Sequence, residues 1–171
     1  MKLKKLICGK NGFTLIEMVV ALAITGIIGV GAAAASYHVL TQSTSNTNHT
    51  SASQYALNAV YWMSRDAQMA QTVSPEGASG FPLTLDWVGW DNTGHEVVYT
   101  IDDGTVRRLY SVDGGLESEV VVAQHINTDA DMTSCEFSNG VLTLKITATV
   151  GEGLRTESVS KVREIVPRPG L

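Results

Sequence analysis

Of the residues that can carry chemistry in this chain, Glu17 makes the strongest demand, because it heads a run, Met18 to Ala35, that is almost wholly apolar or small. No Asp, Glu, Lys or Arg occurs between Glu17 and Arg65. A carboxylate in apolar surroundings keeps its charge only beside a cation or hydrogen-bond donors, so Glu17 requires a partner. Other candidates are weaker. Asp129, Asp131 and Glu136 offer oxygens suited to Ca²⁺, but the glycine and distal glutamate of an EF-hand loop are missing, and a solvated acidic loop is the expectation. His95-Glu96-Val97-Val98-Tyr99 lacks the second histidine of a zinc protease, and Gly77-Ala78-Ser79-Gly80 is not a nucleophile elbow. His38, His49, His95 and His125 are scattered. These residues predict a protein that is not an enzyme and takes no cofactor.

Cysteine usage and charge narrow the class further. Cys8 and Cys135 are the only cysteines, and Cys8 lies in a lysine-rich leader, so no disulfide framework is expected. Cys8 also lacks the apolar stretch that precedes a lipid-modified cysteine, and Cys135 reads as a small buried apolar residue. The net charge of -5 conceals an asymmetry. Lys2, Lys4, Lys5 and Lys10 precede the apolar run, and past residue 12 eight basic residues face seventeen acidic ones, a balance of -9. Binding to nucleic acid depends on neutralising phosphates, and no nucleic-acid partner is expected of such a chain. The Arg107-Arg108 pair reads as solvated strand surface.

The element that must position Glu17 is a helix. Met18 to Ala35 at 1.5 Å per residue spans about 27 Å, close to the thickness of a bilayer core. The lysines ahead of it predict a single span with its N-terminus in the cytoplasm and its head exported, periplasmic or extracellular. Ala32 to Ala35 also offers a signal-peptidase site, but the apolar run is long for a cleaved signal. A plain anchor explains the length and leaves Glu17 unexplained.

Lys10-Asn11-Gly12-Phe13-Thr14-Leu15-Ile16-Glu17 resembles the type IV prepilin signal, a short basic leader ending in Gly ahead of Phe-Thr-Leu-Ile-Glu and an apolar helix. The resemblance implies leader-peptidase cleavage between Gly12 and Phe13, N-methylation of Phe13 and a role for Glu17 in filament assembly. It also implies partners: other pilin or pseudopilin subunits, the prepilin peptidase, the inner-membrane assembly platform and membrane lipid. On that reading the cation that Glu17 requires is the Phe13 ammonium of a neighbouring subunit, since buried ions are tolerable when paired. Gly26, Gly29 and Gly31 suit close helix packing in lipid. Many major pilins have a proline where this chain has Ala34, which points away from a main filament subunit.

After the span, Ser36 to Ser53 is rich in Ser, Thr and Asn, a composition that weakens helix propensity without forbidding a helix continued by tertiary packing, and a flexible stem is one reading. Asn48-His49-Thr50 matches a glycosylation sequon, a pattern frequent by chance. Ala56, Ala59, Val60, Met63, Ala67 and Ala70 then recur at helical spacing, predicting a helix to about Val73 with a second stripe at Tyr55, Trp62 and Met69. Short apolar runs separated by Gly, Asn and Asp predict strands over Leu83–Trp90, Glu96–Ile101, Thr105–Val112, Glu119–Ile126, Cys135–Ser138, Val141–Val150 and Arg155–Val166. The expected fold class is α+β, a long N-terminal helix, transmembrane in its first half, packed on an antiparallel sheet. The expected divisions are a leader (1–12), a transmembrane and assembly helix (13–37), a polar stem with an amphipathic helix (38–73) and a β-rich head (74–171). Ser64-Arg65-Asp66-Ala67-Gln68-Met69-Ala70, Val97-Val98-Tyr99-Thr100-Ile101 and Arg107-Arg108-Leu109-Tyr110 look like minor pseudopilins of the J type and W-type minor pilins. These resemblances imply a subunit that helps initiate or cap a pilus-like or type II secretion filament. The competing reading is an anchored exported binding domain unrelated to filaments.

Overall fold

The computed structural model describes residues 13–168. One helix, α1 (Leu15–Ala67), precedes strands β1 (Thr72–Pro75), β2 (Leu83–Val88), β3 (Gly94–Asp102), β4 (Thr105–Val112), β5 (Gly115–Ala123), β6 (Ser134–Ser138), β7 (Val141–Val150) and β8 (Glu157–Ile165). The chain divides into two units, the first ending at Ser43 and the second beginning at Thr44.

In the first unit every residue from Phe13 to Leu40 is exposed, and the helix is long and apolar enough to cross a membrane. Thr25, Ser36 and Thr41 satisfy their hydroxyls on the helix's own carbonyls. Thr25 donates to the Ala21 carbonyl at 2.8 Å and Ser36 to the Ala32 carbonyl at 3.0 Å, which lets these side chains sit on an apolar helix without a water partner.

The second unit holds the core. Residues 44–67 of α1 bury Ala52, Ala56, Ala59, Val60, Met63 and Ala67, and the repeated alanines admit close approach by the strands. Two antiparallel sheets form: β1-β2-β3-β4-β5 and β6-β7-β8. Leu83, Leu85, Val97, Tyr99 and Val106 of the first sheet join Leu142, Leu144, Ile146 and Ala148 of the second in one apolar cluster. Asp103-Gly104, Asp113-Gly114 and Asn139-Gly140 all lie at positive φ, the geometry of two-residue hairpins whose twist matches that of the flanking strands.

Several expectations need correction. The fold class stands, but the strands make two sheets rather than one. The helix ends at Ala67, and Val73 already belongs to β1. Burial keeps helical spacing past that end because Ala70 reaches the core through a turn, its N–H on the Asp66 carbonyl at 3.1 Å. The polar segment Ser36 to Ser53 is helical throughout, not a flexible stem. In the second unit it is held by side-chain ties. Ser45 Oγ donates to Glu157, and the Asn48 amide donates to the Arg155 carbonyl at 2.9 Å, which occupies the nitrogen that the sequon would modify.

Candidate functional site

Glu17 lies in the first turn of α1, and Thr14 stands at the N-cap. Thr14 donates to Glu17 Oε2 through both its backbone N–H (2.9 Å) and its hydroxyl (2.7 Å), while the Glu17 N–H reaches Thr14 Oγ1 at 3.4 Å. This is a capping box, in which the cap residue and the third helical residue satisfy each other's backbone donors. It also sets a carboxylate at the positive end of the helix dipole. The pattern Thr-x-x-Glu was readable in the sequence and the sequence reading missed it. Part of the partnership that Glu17 requires is therefore supplied by its own chain. Phe13 is exposed just ahead of the cap, and Gly12 lies outside the described residues.

The head brings together a different set. Asp66 is 1% exposed, and its Oδ2 accepts from the Tyr99 hydroxyl at 2.5 Å and from Arg108 Nε at 2.6 Å. The Arg108 guanidinium lies over both the Trp62 and Tyr110 rings. Burial first, and the Asp66 charge second, hold the Tyr99 phenol far above its ordinary value and therefore neutral. The expectation for Arg107-Arg108 is thus half wrong. Adjacent strand residues face opposite sides, so Arg107 stays solvated beside Glu119 at 2.8 Å while Arg108 turns inward. Segments 64–70, 97–101 and 107–110 meet at this contact.

The remaining candidates do not assemble. Among the described residues no three His, Cys, Asp or Glu side chains converge as a metal site, and Asp129, Asp131 and Glu136 are all exposed. His95 is stacked near Trp87 and Tyr110 and hydrogen-bonds to Thr93 Oγ1 at 3.0 Å and the Tyr110 hydroxyl at 2.9 Å. Cys135 is buried as expected, and that burial pushes its thiol up to about 12.

Among the described residues there is one helix long and apolar enough to cross a membrane, and with the charged first turn it supports single-pass anchoring. The chain's family signal is specific: residues 8–33 match the family described as "Prokaryotic N-terminal methylation motif". That motif supports a type IV prepilin-like protein, and it implies in general processing by a prepilin peptidase and assembly with other pilin subunits. No curated protein and no solved structure matches the chain.

Proposed function

We propose that this chain is a minor pilin or pseudopilin that helps initiate or cap a type IV pilus-like or type II secretion filament. The observation that carries the reading is Glu17 at the head of an exposed apolar helix directly after Lys-Asn-Gly-Phe-Thr. In this reading the peptidase cuts between Gly12 and Phe13, Phe13 is N-methylated, and the α-ammonium then created is the cation for a neighbour's Glu17. The N-terminus faces the cytoplasm, and the head is exported. The capping box lets the subunit hold its carboxylate in bonded form before a neighbour arrives. Ala34 in place of a proline, and the J- and W-type segments of the head, support a minor position near the tip.

One experiment tests processing and assembly together. The protein is expressed beside its prepilin peptidase and filament partners, extracted from membranes and characterised by N-terminal sequencing and co-purification. The expected N-terminus is N-methyl-Phe13. Replacing Gly12 by a bulky residue should leave precursor in the membrane. Glu17→Val should mature and insert normally yet recover fewer partner subunits, with Glu17→Asp in between. A first residue at Ser36, an uncut Met1, or full partner recovery by Glu17→Val would reject the reading.

A further inference from the structure

Trp90 is 100% exposed, at the tip of the loop between β2 and β3. A tryptophan in water forgoes the burial that is its main energetic asset, so its presentation needs a reason. The loop that carries it is ordered. The Gly89 N–H donates to the Thr93 carbonyl at 2.9 Å, Asn92 N–H donates to the Gly89 carbonyl at 3.2 Å, and Thr93 donates twice to Asp91 Oδ1. Gly94 N–H anchors the loop's end on Asp113 Oδ1 at 2.8 Å. A Cβ at Gly89 would lie 2.7 Å from Asp91 Oδ1 and 3.0 Å from His95 Nε2, so a side chain there would displace the Asp91 carboxylate that ties Thr93. Trp90 therefore sits on a pre-organised support, and little loop entropy remains to be lost when it is covered.

Trp90 borders one cavity, and a second lies next to that one. One, of about 420 Å³, is lined by Trp90 with Met69, Gln68, Trp87, Val88 and Arg168. The other, of about 300 Å³, shares Trp87 and Val88 and adds the carboxylates Asp86, Glu96 and Asp113. Among the described residues, Arg168 is the one Lys or Arg lining either. An exposed aromatic anchor beside apolar side chains, with three carboxylates in the neighbouring cavity against a single arginine, has the anatomy of a protein–protein hot spot. The charge selects the partner. A second copy is a poor fit, because past residue 12 this chain carries -9 and would meet itself with like charge, and an anionic lipid surface is disfavoured for the same reason.

We propose that Trp90 and the acidic cavity beside it form a docking surface for the head of a different filament subunit. That partner presents an apolar pocket for the indole and a Lys or Arg side chain for Asp86 and Glu96. The proposal rests on the filament reading but not on a place at the tip.

The test uses the full chain in membranes with its partner subunits. Zero-length carbodiimide cross-linking followed by mass spectrometry should join Asp86, Asp91, Glu96 or Asp113 to a lysine of another pilin-family subunit. Trp90→Ala should lower recovery of that subunit at least tenfold with an unchanged melting midpoint, and Trp90→Phe should restore part of it. The pair Asp86→Asn and Glu96→Gln should lower recovery and flatten its dependence on salt. Wild-type recovery with Trp90→Ala, cross-links confined to two copies of this chain, or photolabelling of Trp90 by lipid alone would each overturn the proposal. Glu17→Val, run in parallel, separates the readings. If it loses partners while Trp90→Ala does not, the docking surface falls and the filament role stands.

Discussion

Arg108 and Asp66 meet where neither charge is well solvated, so removing one member is expected to cost more than the pair contributes. Arg108→Ala leaves an uncompensated carboxylate in the core and should destabilise the head by about 3 kcal/mol. Asp66→Ala combined with Arg108→Ala should cost less than the two single changes together, as chemical denaturation of the four variants will report. Tyr99 adds a signature in pH. Its folded-state value is raised, first by burial and then by Asp66, so its contribution is complete below the ordinary phenol value near 10 and is lost as pH rises from there toward the raised folded value. Wild-type stability should therefore fall faster above pH 10 than that of Tyr99→Phe, and parallel curves would show that the phenol is not held neutral. Glu17 is a contrasting case, since its two Thr14 bonds lie within one helical turn and were inferable from four residues of sequence. The Asp66 contact joins residues 33 and 42 positions apart and was not.

Strand faces set the next level. Asp86 and Glu96 are direct partners across β2 and β3, an arrangement of like charges that costs a few tenths of a kcal/mol. Burial, then Glu96, raises the Asp86 carboxyl above its ordinary range. A raised carboxyl is a penalty present above its folded value and relieved as pH falls through it. Asp86→Asn should thus raise the melting midpoint at pH 7 and lose that advantage below about pH 4, near the ordinary carboxylate range. An equal gain at both pH values would mean that packing, not charge, is responsible. The free edges carry the opposite device. Lys161 and Arg163 of β8 share the face of buried Val159 and Ile165, being opposite Ile146 and Leu144, and two register shifts interrupt β5. Inward charges and bulges discourage edge-to-edge pairing of heads. Most strands were legible because alternation and Asn-Gly or Asp-Gly turns are local signals, and β4 and β7 fall at the expected bounds. Four-residue β1, ending at Pro75, has too few positions to show alternation, and the sequence reading placed its first half in the helix. The division into two sheets depends on which strands pair, which no local pattern encodes.

At the scale of the molecule, burial is confined to one side of the Ser43/Thr44 division. Among the described residues every buried one lies at or beyond Ala52, and Phe13 to Leu40 are all exposed. A protein built this way separates two demands. On the proposed filament role, the N-terminal helix exchanges lipid for neighbouring helices, and the head is expected to keep its fold in either setting. A chain beginning at Thr44 should therefore fold in water as a monomer and unfold cooperatively, with a midpoint within a few degrees of the head transition of the full chain in detergent. Its ties at Ser45 and Asn48 remain intact, so the first turns of the shortened helix should stay docked on the β7–β8 connection and residues 45–48 should resist amide exchange. Asn48→Ala removes one of those ties and should release protection there while leaving Ala59 to Ala67 protected, because the latter are fixed by alanine packing rather than by polar bonds. Loss of cooperativity in the shortened chain, or uniform deprotection of α1 by Asn48→Ala, would show that the span is needed to hold the head together.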